Sequence, residues 1–550
     1  MTLSSDWWPR LGLLSALLGC PSAAFGATEL PASLRQPIEA GIANGRFQGV
    51  AVGLIDHASR DSWFLGATRP DGASPLGDDA YEIGAVTRAF TGLLLARAIS
   101  EGRIGRGTTL AQAFDKVRFA DRALSMRSIE QLATQTAGLP ELPPNLFPAD
   151  IDDPYADFDD GKLQSMLTHL QAVAPAGTYR YSDLGEALLA AALGRAYKDD
   201  YRKVLAHEVL APLGLHGTGF GSVPHLLPGF RDGEPALHWQ HEAMAGAEGL
   251  RSTLPDLLAL VAAQLRPSAS SLANALVTTR AQLATAGGGA TTLGWQVVMV
   301  QSGTQSWPLM WQAGITGGFA AFVGWRSDLQ QGLVLLGNSG CDLSAIGIAF
   351  LSGLAPPAAP RRLLRLDDAT RAEFAGLYQF DGGGEFIVRD RGGRLAGQES
   401  GHLPVPLRAF DDDAFEYGPD AQLTFQRQTG TVMAMTLHRG GMNIRAERLS
   451  LKAPVLVRTT SPLAAGRLAE YAGEYRLTDA LRARVRPDGG GVSLQLTGNT
   501  RWLAMSCGED RFCDSSGVLE VTFHRDAARR VTAIDWQQGL FTASGPRGDW

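Results

Sequence analysis

The sequence predicts an α+β chain: a large segment of mixed helix and strand, then two small antiparallel β-barrels. Three observations carry this. Residues 28–353 combine helical periodicity with strand-like runs such as FAAFVGW (Phe319–Trp325) and GLVLLGN (Gly332–Asn338). Two Pro/Ala-rich stretches, Leu354–Arg362 and Lys452–Gly466, then interrupt the chain. The pieces they bound, 366–450 and 466–547, are short alternating runs separated by Gly and Asp turns.

Bulk composition agrees. At roughly 100–200 residues per domain, 550 residues make several domains. A hydrophobic share of 45% and a charged share of 19% allow sizeable cores. The net charge of −7 and pI near 5.9 lack the basic footprint of a nucleic-acid binder. Lysine occurs only at positions 116, 162, 198, 203 and 452, so arginine carries most of the positive charge.

From the N-terminus, Arg10 precedes an apolar run, Leu11–Leu18, and then small residues at Ala24 and Gly26. This is the pattern of an export signal spanning 1–26, cleaved before Ala27, and the run is too short to span a bilayer. A second reading has Leu17-Leu18-Gly19-Cys20 presenting Cys20 for lipidation, the one route to a membrane. Export places the mature chain in the periplasm or outside the cell. There Cys507 and Cys513, which bracket CGEDRFC, are able to form a disulfide, with Cys341 left over.

The stretch YEIGAVTRAF (Tyr81–Phe90) reads as a loop entering a buried helix. Downstream come QLATQTAGLP (Gln131–Pro140), PAGTYRYSDLGEALL (Pro175–Leu189), APLGLHGTGF (Ala211–Phe220), AGAEGLRSTLPDL (Ala245–Leu257) and WQAGITGGFAAF (Trp311–Phe322). In this order they resemble elements of the serine β-lactamase-like family: class C β-lactamases, penicillin-binding proteins, and D-aminopeptidase and esterase relatives. Those elements are Ser-x-x-Lys, Leu-x-Thr-His-Thr-Ser-Gly-Leu-Pro, Pro-Gly-x-x-Phe-x-Tyr-Ser-Asn-x-Gly-Tyr, Pro-Leu-Gly-Met-x-x-Thr-x-Phe, Ala-Gly-Gly-Leu-x-Ser-Thr, and His-x-Gly or Lys-Thr-Gly before Gly-Phe. The resemblance covers roughly residues 30–355. It implies an antiparallel sheet flanked by helices plus an all-helical part.

The resemblance also implies a site, and this chain departs from it at four positions. The nucleophile position holds Ala85, whose methyl group attacks nothing. The lysine position holds Arg88, whose guanidinium stays charged and is no general base. Tyr181 is retained, but the asparagine two residues on has become Asp183. The His/Lys position is Gln312. Arg88 keeps the positive charge of the lysine it replaces and Asp183 gains a negative one, so an ion pair between them is expected. What the resemblance leaves is backbone: Ala85 and Ile315 N–H as oxyanion-hole donors, with Gly314, Gly318 and Phe319 lining the pocket.

Other candidates have weaker patterns. Thr87 lies two residues from the nucleophile position and is expected to cap or pack. Ser182 is expected to be structural. HWQH (His238–His241) has two histidines at metal-ligand spacing, but nothing completes a site and packing is the expectation. The acidic loop Asp150–Gly161 lacks the EF-hand spacing. Neither a metal nor a cofactor is expected.

The C-terminal pieces read as copies of one unit. EFAGLY (Glu373–Tyr378) recurs as EYAGEY (Glu470–Tyr475), each followed by a strand and a glycine-rich turn. A unit of roughly 80 residues is long enough to close an up-and-down barrel; one large sandwich is the alternative.

The functional expectation is an exported, non-catalytic or strongly impaired serine-hydrolase relative that binds a cell-wall peptide, an acyl ligand or a protein partner. Two alternatives stand: a working hydrolase in which Tyr181 acts as base, and ligand binding inside the barrels.

Overall fold

A computed structural model describes residues 29–550 apart from 70–71, 120, 144–145, 147–151, 169, 171, 173, 282–283, 287–288, 359, 382–384, 391–392, 400–404, 419–420, 440–441, 451–462, 479–480, 489, 497–500, 515–518, 539–540 and 549–550. The expected export signal, Cys20, most of the Lys452–Gly466 linker and the first residues of the acidic loop lie outside this set.

The mixed segment is built on an eight-stranded sheet. Its order is Ser59–Gly66, Gly49–Asp56, Gln331–Gly337, Ala320–Arg326, Gln305–Ile315, Gln296–Ser302, Gly289–Thr291 and Ala284–Ala286. Each strand runs antiparallel to its neighbours. The central strands are apolar without a break because both faces are covered. Alternate residues go to different cores. Ala51 and Ile55 join Val323, Trp325, Val334 and Leu336 in a core shared with the Leu254–Leu265 helix. Val50, Val52 and Leu54 join Phe322, Leu333 and Leu335 in another, covered by the Ala32–Ala43 and Ser344–Ser352 helices.

The all-helical part centres on two helices, Thr87–Ser100 and Asp183–Tyr197. Both are buried on nearly every side, as helices in the middle of a core must be.

Each C-terminal unit is a closed eight-stranded barrel, the first from Gly376–Phe380 to Met442–Ser450 and the second from Gly473–Arg476 to Phe541–Gly548. The repeat seen in sequence is a repeat of packing. Tyr378 Oη donates to Phe374 O at 2.7 Å, and Tyr475 Oη to Tyr471 O at 2.7 Å. Phe374 lies 4.8 and 4.9 Å from Phe415 and Phe425, and Tyr471 lies 4.8 Å from both Phe512 and Phe523. The copies differ where Phe374 becomes Tyr471, whose added hydroxyl donates to Asp510 at 2.7 Å. These rings are buried in each barrel. Cys507 and Cys513 are joined as a disulfide across the Arg501–Gly508/Arg511–Asp514 hairpin.

Candidate active site

The site begins at the turn before the Thr87–Ser100 helix. Gly84 takes a positive φ of 49°, a conformation glycine adopts freely. The turn closes from Val86 N to Ile83 O at 3.1 Å. Gly314, on the facing strand, lies so close that a Cβ there would collide with Ile83 O and Ala85 N. Thr316 N donates to Phe319 O at 2.9 Å. Antiparallel pairs alternate between bonded and non-bonded, so Ile315 N–H turns away from its partner strand. A Cβ on Gly84 would sit 3.0 Å from Ile315 N, so the segments carrying the two expected backbone donors, Ala85 and Ile315, are in direct contact.

The expected ion pair is present. Arg88 donates to Asp183 Oδ1, with both residues almost wholly buried. The Tyr181 ring lies 4.1 Å from the guanidinium carbon, close enough for a cation–π contact. Burial pushes the Tyr181 hydroxyl well above its ordinary range, although Arg88 pulls it down. The charge of Asp183 pushes it up further, so the phenol is held protonated.

Gln312 is turned away from chemistry as well. It lies two residues before Gly314, hence on the same strand face, against the Ala85 turn. Its Nε2 donates to Gly294 O at 3.0 Å, while its Oε1 is buried with no hydrogen-bond partner among the described residues. Gly318 and Phe319, expected to line the pocket, are packing residues. Gly318 abuts the Gly229 backbone, and Phe319 is fully buried against Tyr81 and His238.

Thr87 Oγ1 accepts from Leu250 N at 3.1 Å, which is a structural role. Ser182 caps the Asp183–Tyr197 helix, accepting from Gly185 N at 2.9 Å and donating to Pro140 O at 2.6 Å. The acidic loop is tied down. Trp239 Nε1 donates to Asp152 O at 2.8 Å, and Gln240 N to Asp153 Oδ1 at 2.8 Å. HWQH is neither helix nor strand, and its two histidines make separate contacts, His238 with Glu82 and His241 with Glu248.

Several residues of the site did not stand out in the sequence. Glu82 is buried and gathers four donors: His238 Nδ1 and Trp239 N at 3.1 Å, Arg251 Nη2 at 3.3 Å and Thr316 Oγ1 at 2.7 Å. Burial opposes its charge, but these donors win and hold its pKa below the usual range. Glu186 accepts from Gln135 Nε2 at 2.8 Å, and Gln135 Oε1 accepts from Ser182 N at 2.5 Å. Glu248 is buried beside Arg88 and Asp183. The signal for these was in the elements already quoted. Gln135 stands at the histidine of Thr-His-Thr, Glu186 at the tyrosine of Asn-x-Gly-Tyr, and Glu248 at a glycine of Ala-Gly-Gly-Leu. The family-like positions have thus acquired three carboxylates: Asp183, Glu186 and Glu248.

Burial pushes the Glu186 carboxyl up to about 7, with Arg88 and Gln135 pulling the other way. Its folded pKa exceeds its unfolded one, so the folded state binds the proton more tightly. Stability from this group therefore falls as pH rises from about 4.5 to about 7. Glu186→Gln keeps an acceptor for Gln135 and removes the titration. The variant is expected to match wild type at pH 5 and to exceed it in stability at pH 8. Urea denaturation at the two pH values checks this; equal stability at pH 8 refutes it.

Comparisons with known proteins point one way. Residues 34–367 match the family model described as Beta-lactamase. A beta-lactamase of Pseudomonas fluorescens is 25% identical over 327 residues, covering 53% of this chain and 88% of that protein. Beta-lactamase-like protein 2 of Dictyostelium discoideum is 27% identical over 150 residues, 26% of each chain. A class C beta-lactamase structure from Rhodobacter sphaeroides superposes with a TM-score of 0.50 at 18% identity, covering 56% of this chain and 95% of that one. A second class C beta-lactamase gives 0.51 at 18% identity, covering 58% and 93%. At such identities the structural likeness is one of fold.

Proposed function

Because this chain belongs to the Beta-lactamase family, we propose that it is a non-catalytic member, exported and acting by binding rather than by turnover. The observation that carries this is the Arg88–Asp183 pair beside Ala85. Acyl transfer of the Ser-x-x-Lys kind needs a nucleophile and a group able to take its proton. Ala85 offers no nucleophile. Arg88 is held charged by Asp183, and Tyr181 is held protonated. The backbone donors of Ala85 and Ile315 remain, so the pocket keeps the means to hold a polar group without transforming it. A small peptide is the ligand class that the family fold favours. The Cys507–Cys513 disulfide supports export, since such bonds persist in oxidising compartments.

Intact mass spectrometry of the mature protein, after incubation with a penicillin and separately with a fluorophosphonate, tests this reading. The expected result is an unchanged mass in both. A stoichiometric adduct would reveal a working nucleophile and end the non-catalytic reading.

A further inference from the structure

Away from the pocket, one edge of the eight-stranded sheet is open. Ser59–Gly66 is the terminal strand, paired on one side with Gly49–Asp56. That pairing runs the length of the strand without a bulge. Which backbone groups face outward follows from a bond at its end. Ala67 N donates to Gln48 O at 2.9 Å, and bonded pairs recur at every second residue. Asp61, Trp63 and Leu65 therefore bond inward, while Arg60, Ser62 and Phe64 turn their N–H and C=O groups outward. Among the described residues these outward groups have no hydrogen-bond partner. Arg60 and Ser62 are exposed, so the edge is accessible.

Proteins blunt such edges with lysine, proline, a bulge or a covering segment. Residues 59–66 contain neither lysine nor proline. They carry Trp63, Phe64 and Leu65 instead, each only half-buried against the cores beneath. The edge is thus a template for another strand, and its own sequence fits a two-fold copy of itself. Outward residues must meet outward residues, so the axis falls on a residue and not between two. An axis at Arg60 opposes the two guanidiniums, and one at Asp61 opposes the two carboxylates. An axis at Trp63 leaves Arg60 opposite Gly66 and Asp61 opposite Leu65, with neither charge matched. An axis at Ser62 opposes no like charges. It sets Arg60 across from the second copy's Phe64, within reach of a cation–π contact. It also sets Asp61 across from the second copy's Trp63, whose indole carries an N–H donor.

We propose that the chain forms a homodimer through this edge, two copies of Ser59–Gly66 pairing antiparallel about a two-fold axis at Ser62 and joining their sheets into one. The contact is isologous and closes on itself, so assembly stops at two. The dimer does not depend on what the pocket binds.

Sedimentation equilibrium of the mature protein across micromolar concentrations tests it, with a monomer–dimer equilibrium expected. Ser62→Pro removes an outward donor from each copy and leaves the inward ladder intact. It is expected to weaken the dimer at least about tenfold. Mild oxidation tests the register. In Ser62→Cys the two Cα atoms on the axis lie about 5.5 Å apart, within disulfide range, so a crosslinked dimer is expected. Arg60→Cys faces residue 64 and is expected to stay uncrosslinked, as is the wild type with its free Cys341. Should Ser62→Pro not fold, the cysteine pair still decides. A wild type that is monomeric throughout, a dimer that persists unweakened in a folded Ser62→Pro, or equal crosslinking of the two cysteine variants overturns the inference.

Discussion

Replacing Arg88 by methionine is expected to destabilise the mixed domain by about 3–5 kcal/mol at pH 8, the cost of breaking a buried ion pair from one side. Methionine fills much of the same volume, so the loss is electrostatic. Arg88 is the one cation acting on Asp183, Glu186 and Glu248 together. Removing it leaves three carboxyl groups in a dry site. Asp183→Asn acts oppositely: it removes one member of the surplus and leaves Arg88 with two more acids, so it is expected to cost far less. The double variant Arg88→Met/Asp183→Asn is expected to recover much of the stability lost in Arg88→Met. pH gives a further sign. The carboxyl groups escape their charge by protonation, so the cost of Arg88→Met shrinks as pH falls from 8 to 5. Chemical denaturation of the three variants at both pH values measures this. An Arg88→Met protein within about 1 kcal/mol of wild type at pH 8 would mean that the pair contributes no more than a surface ion pair does.

The pairing of Arg88 with Asp183 was legible in the sequence because both changes fell inside short motifs and left residues of opposite sign. The same logic applied to Gln135 and Glu186, which replace a histidine and a tyrosine and hydrogen-bond to each other. They were not read because neither position was counted as functional. Glu82 is a different case. It sits three residues before Ala85, and nothing local marks it, since its four donors come from three distant segments. His241 looked like half of a metal pair at helical spacing. The chain there is neither helix nor strand, so the two histidines share no helix face. In the fold, the barrels were readable because a duplicated core repeats its aromatic residues. The close packing of Gly318 and Phe319 was not legible, because a motif says which residues are near a site, not which way they face.

Restoring a serine at Ala85 is expected to restore no acylation by itself. A serine hydroxyl there would lie beside Arg88, which accepts no proton, and Tyr181, whose hydroxyl burial holds protonated. The triple change Ala85→Ser/Arg88→Lys/Asp183→Asn supplies what is missing. A lysine opposite an amide is freed from its anion, and burial lowers the pKa of such an ammonium toward the working range of a base. General-base assistance is worth roughly 10²–10⁴ in rate, so the triple variant is expected to acylate with a penicillin at least about 100-fold faster than Ala85→Ser alone. Time-resolved intact mass gives both rates. Equal and rapid acylation of the two variants would show that the Arg88–Asp183 pair is no obstacle and that the missing hydroxyl alone silenced the site. Silence in both would move the obstacle to Glu248, Glu186 and Gln312. Glu248 stands where the family element has a glycine, and adding Glu248→Gly to the triple variant becomes the change that opens the pocket.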